Sequence, residues 1–161
     1  IRIHVYCTPM DGINNNYRRA CTITIVNKSI ILSITNKQEL VKYAEAEKPY
    51  ESCAILTGNE NDENWTVKKL FLIENTAKSK VTFTISPDEE FRVDQIAKES
   101  NMEIVCIFHS HPESEAHPSE TDKKFMRVNP FPWIIYSGTT KEMNCFILEN
   151  DNVKQIPIIE S

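Results

Sequence analysis

The chain has 161 residues, of which 40% are hydrophobic and 25% are charged, and its formal net charge is −5 at pH 7. This composition is ordinary for a soluble globular protein, and the length suits one domain with a sizeable core. The acidic balance argues against nucleic acid or an anionic membrane as the main partner, and no apolar run is long enough to cross a bilayer. We therefore expect a single domain over residues 1–161 that binds neither.

The first residues predict β-structure and no targeting signal. "IRIHVYC" and "CTITIV" alternate apolar and polar residues as strands do, and the N-terminus lacks the layout of a signal peptide. Cys7 and Cys21 lie in these segments and could meet across a hairpin, although the sequence does not favour a disulfide there. The other cysteines lie inside apolar runs, which indicates buried thiols and a reducing, cytoplasmic location: Cys53, Cys106 and Cys145.

Helices and strands then alternate in the middle of the chain. "IILSI" predicts a strand, and a helix follows in which Thr35 and Gln38 form a capping box and which Pro49 ends. "ESCAILTG", "WTVKKLFLIEN" and "KVTFTI" predict three further strands. The clearest helix begins after Ser86, with proline at its first position, Glu89 closing the capping box and Asn101 as its terminator.

The last third predicts strands around one more helix. "EIVCIF" predicts a strand, "SETDKKFMRV" a helix, and "PWIIYSG", "EMNCFILEN" and "VKQIPII" three closing strands. Strands interleaved with helices indicate an α/β or α+β domain with a mixed sheet.

The polar run "FHSHPESEAHPSETD" suggests a metal site. His109 and His111 are two residues apart at the end of a strand, so both imidazoles point to the same face, and Asp122 follows in the first turn of a helix. Two histidines and one carboxylate match the ligand count of a catalytic zinc site that leaves one position open. The alternative is a solvated loop in which Ser119 and Asp122 only cap a helix.

The spacing H-x-H-x7-S-x-x-D and the upstream "PYESCAILTG" resemble the JAMM motif of the MPN+ zinc metalloproteases. The resemblance covers residues 29–161 and leaves residues 1–28 as an N-terminal β extension. It implies an MPN domain of the cytidine-deaminase-like type, with a curved mixed β-sheet flanked by helices. Where other members have glycine in the strand after the glutamate, this chain has Ala54, which we expect to be a mild packing change.

The resemblance also implies roles for particular residues. His109, His111 and Asp122 would bind Zn²⁺, Glu51 would be the general acid/base for a metal-bound water, and Ser119 would assist the oxyanion. Glu51 is assigned by the resemblance alone, and its alternative is a surface glutamate at the start of a strand. Zinc chemistry explains the need for these residue types, because zinc lowers the pKa of a water and a nearby carboxylate can accept the proton.

Neighbouring residues receive other interpretations. We expect His117 at the rim of the site, His4 in a structural role, and Ser110 as a link that holds the site together. Three loop glutamates are weaker candidates for the base: Glu113, Glu115 and Glu120. A zinc deaminase needs a P-C-x-x-C pair, which this chain lacks, and a cysteine protease needs an activated thiol, whereas these cysteines lie in apolar runs.

The resemblance implies a zinc-dependent isopeptidase that cleaves after the C-terminal Gly-Gly tail of a ubiquitin-like protein. The segment "KVTFTIS" (80–86) is the candidate edge for binding that tail, with ordinary sheet pairing as the alternative. Two other functions remain open: a peptidase that releases a small adduct such as cysteine from a sulfur-carrier protein of ubiquitin fold, and a non-catalytic binding module. A homodimer or a regulatory partner is a further expectation.

Overall fold

The architecture is that of a computed structural model, which describes residues 2–8, 20–26 and 28–161, with the side chains described from residue 28 onward. The first two strands, β1 (Arg2–Thr8) and β2 (Ala20–Val26), form an antiparallel pair. Their register places Cys7 opposite Cys21, as expected for a hairpin. The side chains of these cysteines and of His4 lie outside the described part, so the predictions about them stay predictions.

The remaining strands form one mixed, curved sheet of eight strands in the order β10-β3-β5-β4-β6-β7-β8-β9. These strands are β3 (Ser29–Leu32), β4 (Cys53–Glu60), β5 (Asn64–Ile73), β6 (Glu103–His111), β7 (Trp133–Ser137), β8 (Met143–Glu149), β9 (Asn152–Ile156) and β10 (Ile158–Glu160). The central pair β4–β6 is antiparallel, and β6–β7 is parallel. The single α/β domain with a curved mixed sheet is therefore confirmed.

Helix α1 (Ile34–Glu47) packs on one face of this sheet. Its N-cap is Ser33, whose side chain accepts a hydrogen bond from the amide of Asn36, so the predicted capping box of Thr35 and Gln38 is wrong. Ser33 has the extended backbone that an N-cap requires, whereas Thr35 already lies inside the helix. The helix ends two residues before Pro49, because a residue that precedes proline disfavours helical backbone angles.

Helices α2 (Pro87–Glu99) and α3 (Glu120–Val128) contribute to the apolar cluster on the opposite face. The Ser86 side chain caps α2 as predicted, although the Glu89 carboxylate pairs with Arg92 instead of closing a capping box. Asn101 follows the end of α2 with a positive φ of 52°, a conformation that asparagine tolerates at helix ends. None of the helices described is long and apolar enough to cross a membrane.

Alternate residues of the central strands separate two apolar clusters. Ala54, Leu56 and Phe108 pack toward α1 with the first cluster. Ile55 and Ile107, one residue away in the same strands, join the second cluster with Val93 of α2 and Met126 of α3. His109 and His111 follow Ile107 at intervals of two residues in β6, so their side chains point to the same face, which carries α2 and α3.

Two predicted strands differ from the structure. Residues 80–86 form no strand, and the chain from residue 74 to α2 lies over the sheet as an irregular segment with Phe83 buried against the second cluster. The alternation of Val81, Phe83 and Ile85 therefore reflects one buried ring and not a paired strand. The predicted final strand is two strands, β9 and β10, because Pro157 has no amide hydrogen to continue a ladder.

Candidate metal centre

The end of β6 and the start of α3 bring three ionisable side chains together. The potential ligand atoms of His109, His111 and Asp122 all lie within 4.8 Å of one another, and all three side chains are buried. The two histidine Nε2 atoms are 3.0 Å apart. Asp122 Oδ1 lies 3.3 Å from the Nε2 of His109, and Oδ2 lies 3.4 Å from that of His111. The sequence predicted this convergence.

This donor set fits a divalent metal ion. Ligands about 2.1 Å from a tetrahedral zinc ion lie about 3.4 Å from one another, close to the separations seen here. Two imidazole nitrogens and one carboxylate are the ligand types that zinc accepts, and they leave a fourth position free. Among the described residues, this is the one cluster of three or more such groups.

Helix α3 positions Asp122. Ser119 is its N-cap: the Ser119 Oγ accepts a hydrogen bond from the Asp122 amide at 3.1 Å, and Asp122 Oδ2 accepts one from the Ser119 amide at 2.7 Å. The Ser119 hydroxyl also donates to Asp122 Oδ2, at 2.7 Å. The capping box predicted from the S-x-x-D pattern is therefore present, and it fixes the same carboxylate that faces the histidines.

Glu51 reaches the cluster from the other central strand. The antiparallel register of β4 and β6 pairs Cys53 with His109, so Glu51, two residues before β4 begins, comes beside His111. Glu51 Oε1 lies 4.0 Å from His111 Nε2, and the side chain is buried. Its other oxygen, Oε2, has no hydrogen-bond partner in the described part of the chain. A buried oxygen without a partner is rare, and it is suited to accept a hydrogen bond from water or a ligand.

Ser52 and Ser110 fasten these two strands to each other next to the cluster. The amide and the hydroxyl of Ser52 both lie 2.9 Å from Ser110 Oγ, and the Ser110 amide donates to the Ser52 carbonyl at 3.0 Å. The structure thus places Ser110 where its predicted linking role requires.

The buried cluster perturbs the pKa values of its members. Burial raises the pKa of Glu51 to about 7; the positive charge of His111 opposes this shift and the negative charge of Asp122 adds to it. Burial lowers the pKa of His109. For Asp122 burial favours a higher pKa, but hydrogen bonds from His109, His111 and Ser119 outweigh it and the pKa lies well below its usual range. Near neutral pH, Glu51 is therefore the carboxyl group that can exchange a proton.

The other candidates lie away from the cluster. His117 is exposed and packs edge-on against the ring of Phe146, with a centroid distance of 5.3 Å. The side chains of Glu113, Glu115 and Glu120 point to solvent. The described cysteines are buried and free, and burial raises the pKa of the Cys53 thiol to about 12, so this sulfur stays protonated at neutral pH.

Comparison with known proteins agrees with this arrangement. A family described as "Prokaryotic homologs of the JAB domain" matches residues 35–149. The chain belongs to this JAB family. It is 30% identical to a desampylase from Pyrococcus furiosus over 109 residues, and these residues cover 68% of this chain and 75% of that protein. It is 28% identical over 85 residues to a CysO-cysteine peptidase from Mycobacterium tuberculosis, 53% of this chain and 57% of that protein.

Solved structures resemble the chain over most of its length. A solution structure of a Desulfitobacterium hafniense protein has a TM-score of 0.75 at 25% identity and covers 82% of this chain and 92% of its own. A Salinibacter ruber protein gives a TM-score of 0.61 at 25% identity, with 81% and 90% covered. The single α/β domain expected from the sequence is therefore supported by the family match and by its likeness to these solved structures.

Two further residues at this candidate metal centre were not predicted from the sequence. The ring of Phe83 stacks on that of His109, with centroids 4.8 Å apart. Asn75 is buried, and its side chain hydrogen-bonds the backbone of Glu51 and of the segment that carries Phe83. A lone asparagine in the loop "ENTAKS" is typical of an exposed turn, so no local signal distinguished it.

Proposed function

We propose that this protein is a zinc-dependent peptidase that hydrolyses the amide or isopeptide bond after the C-terminal Gly-Gly tail of a ubiquitin-like protein. The observation that carries the proposal is the convergence of His109, His111 and Asp122 beside a buried carboxylate that lacks a partner for one oxygen. The similarity to a desampylase and to a CysO-cysteine peptidase supports a substrate of this class.

His109, His111 and Asp122 would hold the zinc ion. When bound, zinc would supply Lewis acidity, which makes water a nucleophile at neutral pH and polarises a carbonyl group. The surrounding side chains would transfer the protons and stabilise the oxyanion.

Glu51 would act as general acid and base. Its buried carboxylate can accept a proton from the attacking water and, as the acid, return it to the leaving amine. Its unpartnered Oε2 is free to make the hydrogen bond that this transfer needs. Ser119 would stabilise the oxyanion after its hydroxyl turns away from Asp122 Oδ2, the acceptor it has in this structure.

The segment at residues 80–86 remains the proposed edge for the tail, although it is not a strand. Asn75 bonds the carbonyl of Thr82 and the amide of Thr84, whereas no described residue hydrogen-bonds the backbone of Phe83 or Ile85. Backbone amide and carbonyl groups without a partner can form hydrogen bonds with an extended peptide. A cavity of about 170 Å³ adjoins the segment, lined by Ile55, Phe83, Thr84, Ile85, Glu90, Ile107, Phe125, Asn129 and Trp133.

One assay separates the proposed functions. A ubiquitin-like protein fused through Gly-Gly to a cargo is incubated with the enzyme, with a chelator, and with the chelator followed by zinc, while a cysteine adduct of the same tail is tested in parallel. We expect cleavage that the chelator abolishes and zinc restores. Faster turnover of the cysteine adduct would favour the sulfur-carrier peptidase, and cleavage of neither substrate would favour a non-catalytic binding module.

The metal assignment has its own test. Asp122→Ala and His109→Ala should reduce the zinc content of the purified protein. Glu89→Ala is the matched control, because Glu89 is the third residue of α2 as Asp122 is of α3 but lies on the surface and pairs with Arg92. Unchanged zinc in Asp122→Ala would remove Asp122 from the ligand set.

A further inference from the structure

The two histidines of the proposed metal centre are held in different ways. His111 Nδ1 lies 2.9 Å from the carbonyl oxygen of Glu115, so its ring can donate a hydrogen bond that fixes the ring orientation. His109 is fully buried, and its Nδ1 has no hydrogen-bond partner in the described part of the chain. Histidines that bind metals almost always donate this second hydrogen bond, so another contact must orient the ring of His109.

Two aromatic rings contact the His109 imidazole in the absence of that hydrogen bond. Phe83 stacks on the imidazole of His109 with a centroid distance of 4.8 Å and an interplanar angle of 29°. Trp133 meets the same imidazole edge-on at 5.7 Å and 80°. We propose that Phe83 is a positioning residue for the metal ligand His109, supplying through ring packing the orientation that His111 obtains from a hydrogen bond. The inference rests on the metal site of the proposed function.

Asn75 is what holds Phe83 against the histidine. Its side-chain amide donates to the Thr82 carbonyl at 3.1 Å, and its side-chain oxygen accepts from the Thr84 amide at 3.1 Å, so it grips the chain on both sides of Phe83. The same NH₂ group donates to the Glu51 carbonyl at 2.9 Å, and the same oxygen accepts from the amide of Ala77 at 3.1 Å. The full hydrogen-bonding capacity of the amide is used. Asn75 thereby fixes the Phe83 ring relative to the backbone of the proposed base.

This arrangement has a consequence for the metal. Without the Phe83 ring, His109 has neither a stacking partner on that side nor a hydrogen bond at Nδ1, so its Nε2 would no longer be held toward Asp122. Loss of such supporting contacts typically weakens metal affinity by about 10- to 100-fold. The effect should appear in the zinc dissociation constant itself, before any substrate is present.

The experiment measures zinc affinity by competition with a chromophoric chelator and records the absorption spectrum of the cobalt-substituted protein. Phe83→Leu keeps an apolar side chain of similar size but removes the ring, and we expect the zinc dissociation constant to rise at least about tenfold. Phe83→Tyr keeps the ring and should stay within about threefold of the wild type. The cobalt spectrum should change in Phe83→Leu and be restored in Phe83→Tyr.

Phe146→Leu is the matched control. Phe146 is buried in the same apolar cluster as Phe83, but its ring packs against the exposed His117. Both leucine variants lose a buried ring and should be destabilised similarly, yet Phe146→Leu should keep zinc affinity within about twofold of the wild type. If Phe83→Leu binds zinc as tightly as Phe146→Leu, the positioning role is refuted.

Asn75→Asp tests the support of Phe83. Aspartate keeps the acceptor for Thr84 and Ala77 but loses the donors to Thr82 and Glu51, so zinc affinity should fall less than in Phe83→Leu. Because Asn75 acts on the metal through Phe83, the double variant should bind zinc no more weakly than Phe83→Leu alone. Additive losses would contradict this route.

The result is distinguishable from a failure of the proposed function. A wild-type protein that binds zinc with the expected dependence on Phe83 but cleaves neither tail substrate would refute the proposed hydrolysis and support the positioning role. A wild-type protein that cleaves its substrate while Phe83→Leu keeps full zinc affinity would support the proposed hydrolysis and refute the positioning role.

Discussion

The two faces of the eight-stranded sheet are built from alternate residues of the same strands, and they carry different kinds of side chain. Toward α1, the buried residues of the central strands are almost wholly apolar, as in Leu56 and Phe108. Toward α2 and α3, the same strands bury His109 and His111 next to Glu51. Burying ionisable groups costs free energy, so the face toward α1 can contribute stability without the cost that the histidines and Glu51 impose on the other face. Variants on each face should separate stability from chemistry.

The largest effect on stability is expected on the apolar face. Leu56→Ala removes a fully buried side chain from the first cluster and should lower the free energy of unfolding by about 2–5 kcal/mol, measured with urea. The zinc dissociation constant of the folded fraction should stay within about twofold, because Leu56 faces away from the ligands. A tenfold loss of zinc affinity in the folded variant would show that the two faces are not independent.

Glu51→Gln should lower the cleavage rate without lowering the stability of the protein. Cleavage of the fusion substrate should fall at least about 10²-fold while zinc content stays unchanged, because glutamine cannot exchange a proton. Stability should not fall, since the change removes a buried charge whose Oε2 has no partner. The control is Glu115→Gln, which changes an exposed glutamate in the loop between β6 and α3. A variant that keeps its activity would exclude Glu51 as the base.

A smaller effect separates capping from chemistry at the start of α3. Ser119→Ala removes the N-cap of α3 and the hydroxyl that donates to Asp122, so both stability and cleavage should fall, by about 1 kcal/mol and at least about tenfold. Ser86→Ala removes the equivalent N-cap of α2 and should lower stability alone, by about 1 kcal/mol. Unfolding curves and initial cleavage rates measure the two effects. Equal cleavage rates in the two variants would reduce Ser119 to a cap.

The sequence predicted the site where its information is local. His109 and His111 follow the period of one strand, and Asp122 follows Ser119 by the spacing of a capping box, so their convergence could be foreseen. Glu51 could not be found in this way, because the register of β4 against β6 brings it to His111 and no local pattern encodes that register. Only the resemblance to a known motif supplied it.

The missed residues depend on contacts between distant parts of the chain. Phe83 alternates with its apolar neighbours as a strand residue would, yet the chain there is irregular, and its ring is buried by packing on His109. Asn75 has the local context of a turn. Its hydrogen bonds to the carbonyls of Glu51 and Thr82 depend on the tertiary fold, which the local sequence does not reveal.

The smallest effect concerns a surface cluster on the α1 side. Hydrogen bonds from Lys141 and Lys48, and then from Tyr136, hold the pKa of Glu45 at about 2, below its ordinary value of 4.5. A carboxyl group whose pKa is lower in the folded state stabilises the protein above its unfolded pKa, and this contribution is lost as the pH falls from about 4.5 toward 2. Glu45→Gln should therefore be less stable than the wild type at pH 6, and the difference should shrink below pH 4.5 and vanish near pH 2. Because Glu45 is partly exposed to solvent, the difference at pH 6 should not exceed about 1 kcal/mol, and urea unfolding at several pH values measures it. A difference that stayed constant with pH would mean that the charge of Glu45 contributes nothing to the stability of the α1 face.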